Sequence, residues 1–295
     1  MKTKILLLLL LLVLNIESIC AQNEVFTKEV YTDGNITLPY RKANVKGDGD
    51  KASLVIYLHG GSSKGNDNET QMNEPGVNAI YSWLVDNKRK SIVLVPQCPK
   101  DKSWIGTMLE VLKNLLQSYV DRGVVDDVYI LGGSMGGTGT WNMLAQYPGF
   151  FSAAMPVAGN PTGLNAVNIA KTPFYTVMGT ADKIMKMEPV ETLFAEIESG
   201  NASYKFDIEQ GWSHEDVCKK SYTPERLSWV FGHLKNIADG INDAESESLT
   251  SVCRQWYDLQ GHLLLEKPQR KGIYLIQTKF SNGKSKTQKV ALESF

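Results

Sequence analysis

The chain has 295 residues, 42% hydrophobic and 21% charged, a composition that suits a globular protein with one sizeable core and small appendages. Its 31 basic and 32 acidic residues leave a net charge of -1, which favours neither a nucleic acid nor an anionic surface as partner. The four cysteines are too scattered to form a zinc site.

The sequence opens with Lys2 and Lys4, an unbroken apolar run from Ile5 to Leu14, and then Asn15, Glu17 and Ser18 before Cys20 and Ala21. A basic start, an apolar core too short to span a bilayer and a small residue at the cut predict a signal peptide over 1–21. The mature chain is therefore expected to be exported (secreted, periplasmic or at the cell surface) without a transmembrane segment. Lipid anchoring at Cys20 fits less well, because Glu17 to Ile19 match a lipobox poorly. Cleavage after Ala21 leaves Cys98, Cys218 and Cys253, so at most one internal disulfide can form and its pairing is not legible.

Alternating segments between about 24 and 45 predict short antiparallel strands. Ser53–Leu58 reads as a buried strand that stops at His59, Gly60 and Gly61, followed by a polar loop to Asn73 and a helix near Val77–Val85. Further strands are expected at Ser91–Val95, Val128–Leu131, Ala153–Val157, Phe174–Met178 and Tyr204–Ile208. Helices are expected at Thr107–Val120, after Ser134, up to Ala170, at Glu188–Ser199 and at Pro224–Ile237. Strands separated by helices predict an α/β domain over 22–240, with a mostly parallel sheet covered on both faces and a site beyond the carboxyl ends of the strands. Residues 241–253 read as a polar, acidic linker, and 254–295 as a small β-rich module of three short strands.

Gly132, Gly133, Ser134, Met135, Gly136 and Gly137 form a G-x-S-x-G pattern between a predicted strand and a predicted helix. Strand and helix pass closely there, so the glycines leave room where side chains would clash and Ser134 is held exposed in strained geometry. No lysine follows, as a phosphate-cradling loop would require. Of the four histidines, His59 ends a strand inside a glycine run, His233 lies within a helix and His262 in the distal segment. His214, in the loop after the last core strand, is the best base, and Asp182, directly after the strand ending at Met178, is the best orienting carboxylate. Asp207 and Asp216 are the reserves. The Met135 amide is expected as one oxyanion donor and that of Gly60 or Gly61 as the other. His59 is expected to shape this loop, and His59, Trp104, Asn160 and Trp212 are candidates for lining the substrate pocket. No metal or organic cofactor is called for. Between Ser134 and Asp182 the predicted elements leave no room for a lid domain.

Residues from about 25 to 240 resemble an α/β-hydrolase of the secreted carboxylesterase type, similar to feruloyl and acetylxylan esterases and to the phospholipase/carboxylesterase group. The resemblance rests on Leu58–Gly61, Val95–Pro99 with Trp104, Val128–Gly137, Gly179–Asp182 and His214. Trp212 and Ser213 precede the histidine where many members have a glycine immediately before it. The resemblance implies a secreted serine esterase acting on carboxylic esters, with acyl or feruloyl groups on plant polysaccharides as the expected substrates. A serine peptidase of the same fold and a catalytically inactive carbohydrate-binding surface protein are the rival readings. The C-terminal segment resembles type IX secretion sorting modules, which implies the secretion machinery as a partner.

Overall fold

In the computed structural model the residues described are 25–197, 203–234, 251–258, 262–264, 268, 272–280 and 285–292. The predicted signal segment, Cys20 and residues 241–250 of the predicted linker lie outside them. The chain divides into two compact units, residues 1–238 and 239–295.

The first unit is built on eight strands: β1 (Thr27–Asp33), β2 (Ile36–Val45), β3 (Asp48–Leu58), β4 (Arg89–Pro96), β5 (Val125–Gly133), β6 (Ala153–Val157), β7 (Phe174–Gly179) and β8 (Tyr204–Glu209). Their order in the sheet is β1-β2-β4-β3-β5-β6-β7-β8. β1 and β2 are antiparallel to each other, β2 is antiparallel to β4, and the strands from β4 to β8 are mutually parallel.

Side chains alternate between the two sheet faces along each strand, and both faces are covered by helices. Leu54, Ile56 and Leu58 join Val128 and Ile130 on one face, under α2 (Thr107–Val120), α3 (Met135–Gln146), α4 (Ala166–Ile169) and α5 (Glu188–Glu196). Val55 and Tyr57 join Tyr129 and Leu131 on the other, under α1 (Pro75–Asp86), α6 (His214–Lys220) and α7 (Pro224–Phe231). Two-sided burial is why Leu54–Leu58 of β3 and Val128–Leu131 of β5 are apolar runs. Among the described residues, no helix is long and apolar enough to cross a membrane.

The register between β3 and β5 positions the site. Leu58 lies opposite Gly132, so the loop that begins at His59 and the turn at Ser134 emerge side by side from adjacent strands. Between Ser134 and Asp182 the chain forms α3, β6, α4 and β7, with no lid domain inserted. Two short 3-10 turns, Gly61–Ser63 and Thr70–Asn73, occupy the segment expected to be a polar loop.

The second unit contains a four-stranded antiparallel sheet in the order β10-β9-β11-β12: β9 (Ser251–Tyr257), β10 (Leu263–Leu264), β11 (Gly272–Phe280) and β12 (Ser285–Leu292). It has one strand more than the sequence suggested. Ser251–Cys253, expected in the linker, already belong to β9.

Candidate active site

Ser134 stands between β5 and α3 with φ 56° and ψ -119°, a conformation that costs a non-glycine residue about 1–3 kcal/mol. Its own N–H donates to the carbonyl of Val157 at 3.0 Å, which ties the turn to the end of β6. The tightness of the turn explains the glycines. A Cβ on Gly136 would lie 1.8 Å from the carbonyl oxygen of Leu58, and one on Gly137 2.2 Å from that of Val157.

Three distant segments meet at the Ser134 hydroxyl. His214 Nε2 lies 2.9 Å from Ser134 Oγ, and His214 Nδ1 lies 2.8 Å from Asp182 Oδ2. The other oxygen of Asp182 accepts the N–H groups of Ile184 and Met185 at 2.8 and 2.9 Å, which fixes the carboxylate. The Asp182 side chain is fully buried and that of His214 is 16% exposed. Because a carboxylate only accepts, Nδ1 carries the ring hydrogen and Nε2 is left as the acceptor for the Ser134 hydroxyl.

The loops carrying the carboxylate and the imidazole are joined by hydrogen bonds. Thr180 N–H donates to Glu209 O at 3.0 Å and Ala181 N–H to Trp212 O at 3.1 Å. His214 is not in a loop, as expected from sequence, but is the first residue of α6. Ser213 caps this helix, accepting the Asp216 N–H at 3.2 Å while the Asp216 carboxylate accepts the Ser213 N–H at 3.1 Å. Hydrogen bonds from Lys220 and Ser213 pull the Asp216 carboxyl down to about 2. This reserve carboxylate therefore holds the base's helix and not the imidazole. Asp207, the other reserve, is bound by Arg226 at 2.7 Å and by the Tyr175 hydroxyl at 2.7 Å.

Cys218, one turn along α6, has its sulfur 3.8 Å from His214 Nε2. Burial pushes its thiol up to about 12, so the group stays protonated, and the Ser134 hydroxyl, at 2.9 Å, is the closer hydrogen-bond partner of the imidazole. Cys98 and Cys218 are both free thiols. The Cys253 side chain lies outside the described residues.

The loop after β3 passes beside the nucleophile, where a Cβ on Gly60 would be 3.6 Å from Ser134 Cβ. His59 and Trp104, named in the sequence as pocket-lining candidates, are fully buried and line no open surface. The His59 ring accepts the Cys98 N–H at Nε2 (2.9 Å), which leaves Nδ1 to donate to Gly60 O at 2.6 Å. The Trp104 indole N–H donates to His59 O at 3.1 Å. Burial lowers the His59 imidazole to about 4, so the ring is a neutral brace for the loop.

The Gly60 amide donates to the Glu74 carboxylate at 3.1 Å, which removes it from the pair of donors expected at this loop. The N–H groups of Gly61 and Met135 have no acceptor among the described residues. Asn160 is exposed. Its N–H donates to Thr138 Oγ1 at 3.0 Å and its side-chain oxygen accepts from Thr162, which fastens the loop after β6 to the first turn of α3. That loop and α5 enclose a cavity of about 330 Å³, lined by Pro161–Leu164, Glu188, Pro189, Thr192, Leu193 and Glu196. The Trp212 ring is half-buried between the Lys220 and Arg226 side chains, 5.5 and 5.9 Å from its centroid. Both cations pack on the ring, which accounts for the residue structurally.

Glu74 is the site residue that the sequence did not disclose, since it lies in no motif and reaches Gly60 through space. The helix start at His214 had a readable signal in Ser213 with Asp216 three residues on.

The dienelactone hydrolase family model matches residues 99–228, a stretch that contains Ser134, Asp182 and His214. No curated protein matches the sequence. Among solved structures, a thermostable esterase superposes with a TM-score of 0.65 at 23% identity over 72% of this chain and 64% of its own. The chain thus spans less than two thirds of that relative. Est1E from Butyrivibrio proteoclasticus superposes with a TM-score of 0.53 at 14% identity, over 69% of this chain and 97% of its own. A feruloyl esterase module from Clostridium thermocellum, complexed with sinapinate, gives 0.51 at 14% identity, over 68% and 88%. With the strand order above, these likenesses establish an α/β-hydrolase fold.

Proposed function

We infer that the protein is a serine hydrolase that cleaves carboxylic esters through an acyl-enzyme on Ser134. The unbroken hydrogen-bond chain from Ser134 Oγ through His214 to Asp182, beside two unengaged main-chain donors, carries this reading. As Oγ attacks the ester carbonyl, His214 Nε2 takes its proton, and Asp182 stabilises the imidazolium that forms. The carbonyl oxygen becomes an oxyanion held by the N–H groups of Met135 and Gly61. The imidazolium then protonates the departing alcohol. Water enters by the same route, His214 again acting as base, and the carboxylic acid leaves.

Acyl or feruloyl groups on plant polysaccharides are the favoured substrates. With no lid domain inserted between Ser134 and Asp182, the site suits esters carried on a polymer. The feruloyl esterase module among the structural neighbours supports the same choice. A predicted signal peptide is consistent with work outside the cell.

The reading is tested by giving purified protein aryl esters, feruloylated and acetylated sugars and aminoacyl amides, with a fluorophosphonate probe in parallel. Turnover of the esters, and labelling that disappears in Ser134→Ala, are expected. Preference for the amides would make it a peptidase, and absence of both turnover and labelling would leave a binding protein.

A further inference from the structure

Glu74 immediately precedes α1, yet its side chain makes no capping hydrogen bond to that helix. Its Oε1 instead accepts two hydrogen bonds from the loop after β3, from Gly60 N–H at 3.1 Å and from the Ser63 hydroxyl at 2.6 Å. Gly60 stands between the carboxylate and the nucleophile. A Cβ on Gly60 would be 3.5 Å from Glu74 Oε1 and 3.6 Å from Ser134 Cβ. Burial first, and the charge of Glu74 second, push the Tyr57 phenol up; burial first, and the neighbouring Tyr57 second, push up that of Tyr222, so both phenols stay uncharged.

We propose that Glu74 is a positioning residue for the oxyanion site: it consumes the Gly60 amide, pins both ends of the Gly60–Ser63 turn and so presents the Gly61 amide to the reacting carbonyl. This rests on the ester-hydrolase reading above. Two adjacent glycines widen the range of backbone conformations open to the turn, and the Glu74 oxygen adds two restraints to those that His59 places on Gly60 O and Gln97 on Ser63 O. Hydrogen bonds to a carboxylate oxygen are stronger than those between neutral groups. Gly60 and Gly61 are adjacent, and consecutive peptide N–H groups in an extended-to-helical turn do not point the same way. Engaging the first sets the direction of the second. The charge itself opposes a nearby oxyanion, so the useful property of Glu74 is its accepting oxygen, and a neutral acceptor of the same length should serve nearly as well.

The test is steady-state hydrolysis of an aryl ester by wild type, Glu74→Ala and Glu74→Gln, with inhibition by an aryl trifluoromethyl ketone, whose serine adduct carries the oxyanion. Glu74→Ala should lower kcat by about 10- to 100-fold with KM within about 3-fold, and weaken the ketone in proportion to kcat/KM. Glu74→Gln should recover most of the lost kcat. If Glu74→Ala does not fold, Glu74→Asp, which is too short to reach both donors, should show the same kcat loss in a folded protein. The proposal is overturned if the truncated side chain leaves kcat within about 2-fold of wild type, if the loss is confined to KM, or if Glu74→Gln is as impaired as Glu74→Ala. Wild-type protein that neither turns over esters nor labels at Ser134 would instead remove the hydrolase reading, and the role of Glu74 with it.

Discussion

At the scale of single residues, His59 shows how burial converts a residue associated with chemistry into scaffolding. Its ring is enclosed and committed at both nitrogens, and burial depresses its proton affinity from the ordinary 6.5 to about 4. Between those pH values the unfolded chain binds a proton that the folded chain refuses, so stability falls as pH drops from 6.5 to 4 and is unaffected by this group above 6.5. The full loss amounts to about 3 kcal/mol. Urea midpoints measured between pH 4 and 7 should therefore slope more steeply for wild type than for His59→Gln, which can still accept the Cys98 N–H but does not titrate. Equal slopes would show that the ring is not held neutral. The same enclosure explains why His59 and Trp104 read as pocket residues in the sequence. Their place after strand ends was legible, whereas the direction of their side chains depends on α2 and α3 closing over them. Ser134, Asp182 and His214 could be named because a glycine-flanked serine, a carboxylate at a strand end and a scarce histidine each leave a local mark. The Glu74 contact leaves none, because both of its partners lie in a turn whose shape the sequence does not state.

At the scale of elements, the strands were readable because two-sided burial writes them as apolar runs, and the longer helices because one stripe of each is buried. Short elements stabilised by caps were harder to see. α6 has seven residues, only Val217 of which is buried, and it depends on the Ser213–Asp216 capping box. The crossing of β3, β5 and α3 is governed by contact distance, which makes its tolerance predictable. Gly136→Ala gains about 1 kcal/mol of helix propensity but drives a Cβ to 1.8 Å from the Leu58 carbonyl oxygen, a main-chain atom that cannot yield. It should destabilise the protein by about 3 kcal/mol or more, or prevent folding. A Cβ on Gly61 meets nothing within 4 Å, so Gly61→Ala should fold with stability within about 0.5 kcal/mol of wild type. Denaturant unfolding of the two variants compares them directly, and a Gly136→Ala protein as stable as wild type would contradict the close packing of helix on strand.

At the scale of the whole molecule, the question is what the second unit contributes to catalysis. All residues of the hydrogen-bond chain, both unengaged amides and Glu74 belong to the first unit, which covers both faces of its own sheet. A domain with a complete core folds without its neighbour. The second unit is one small antiparallel sheet, and so short a chain buries little of its surface. A protein ending at residue 238 should therefore unfold in one cooperative transition and hydrolyse the aryl ester with kcat/KM within about 2-fold of the full chain. If the C-terminal module is the sorting element that its sequence resembles, the same truncation expressed in the producing cell should leave active enzyme inside the envelope, where the full chain reaches the medium. Loss of turnover in the purified truncated protein would show that the second unit completes the site. Full activity with unchanged export would assign the module neither role and leave it as a β appendage.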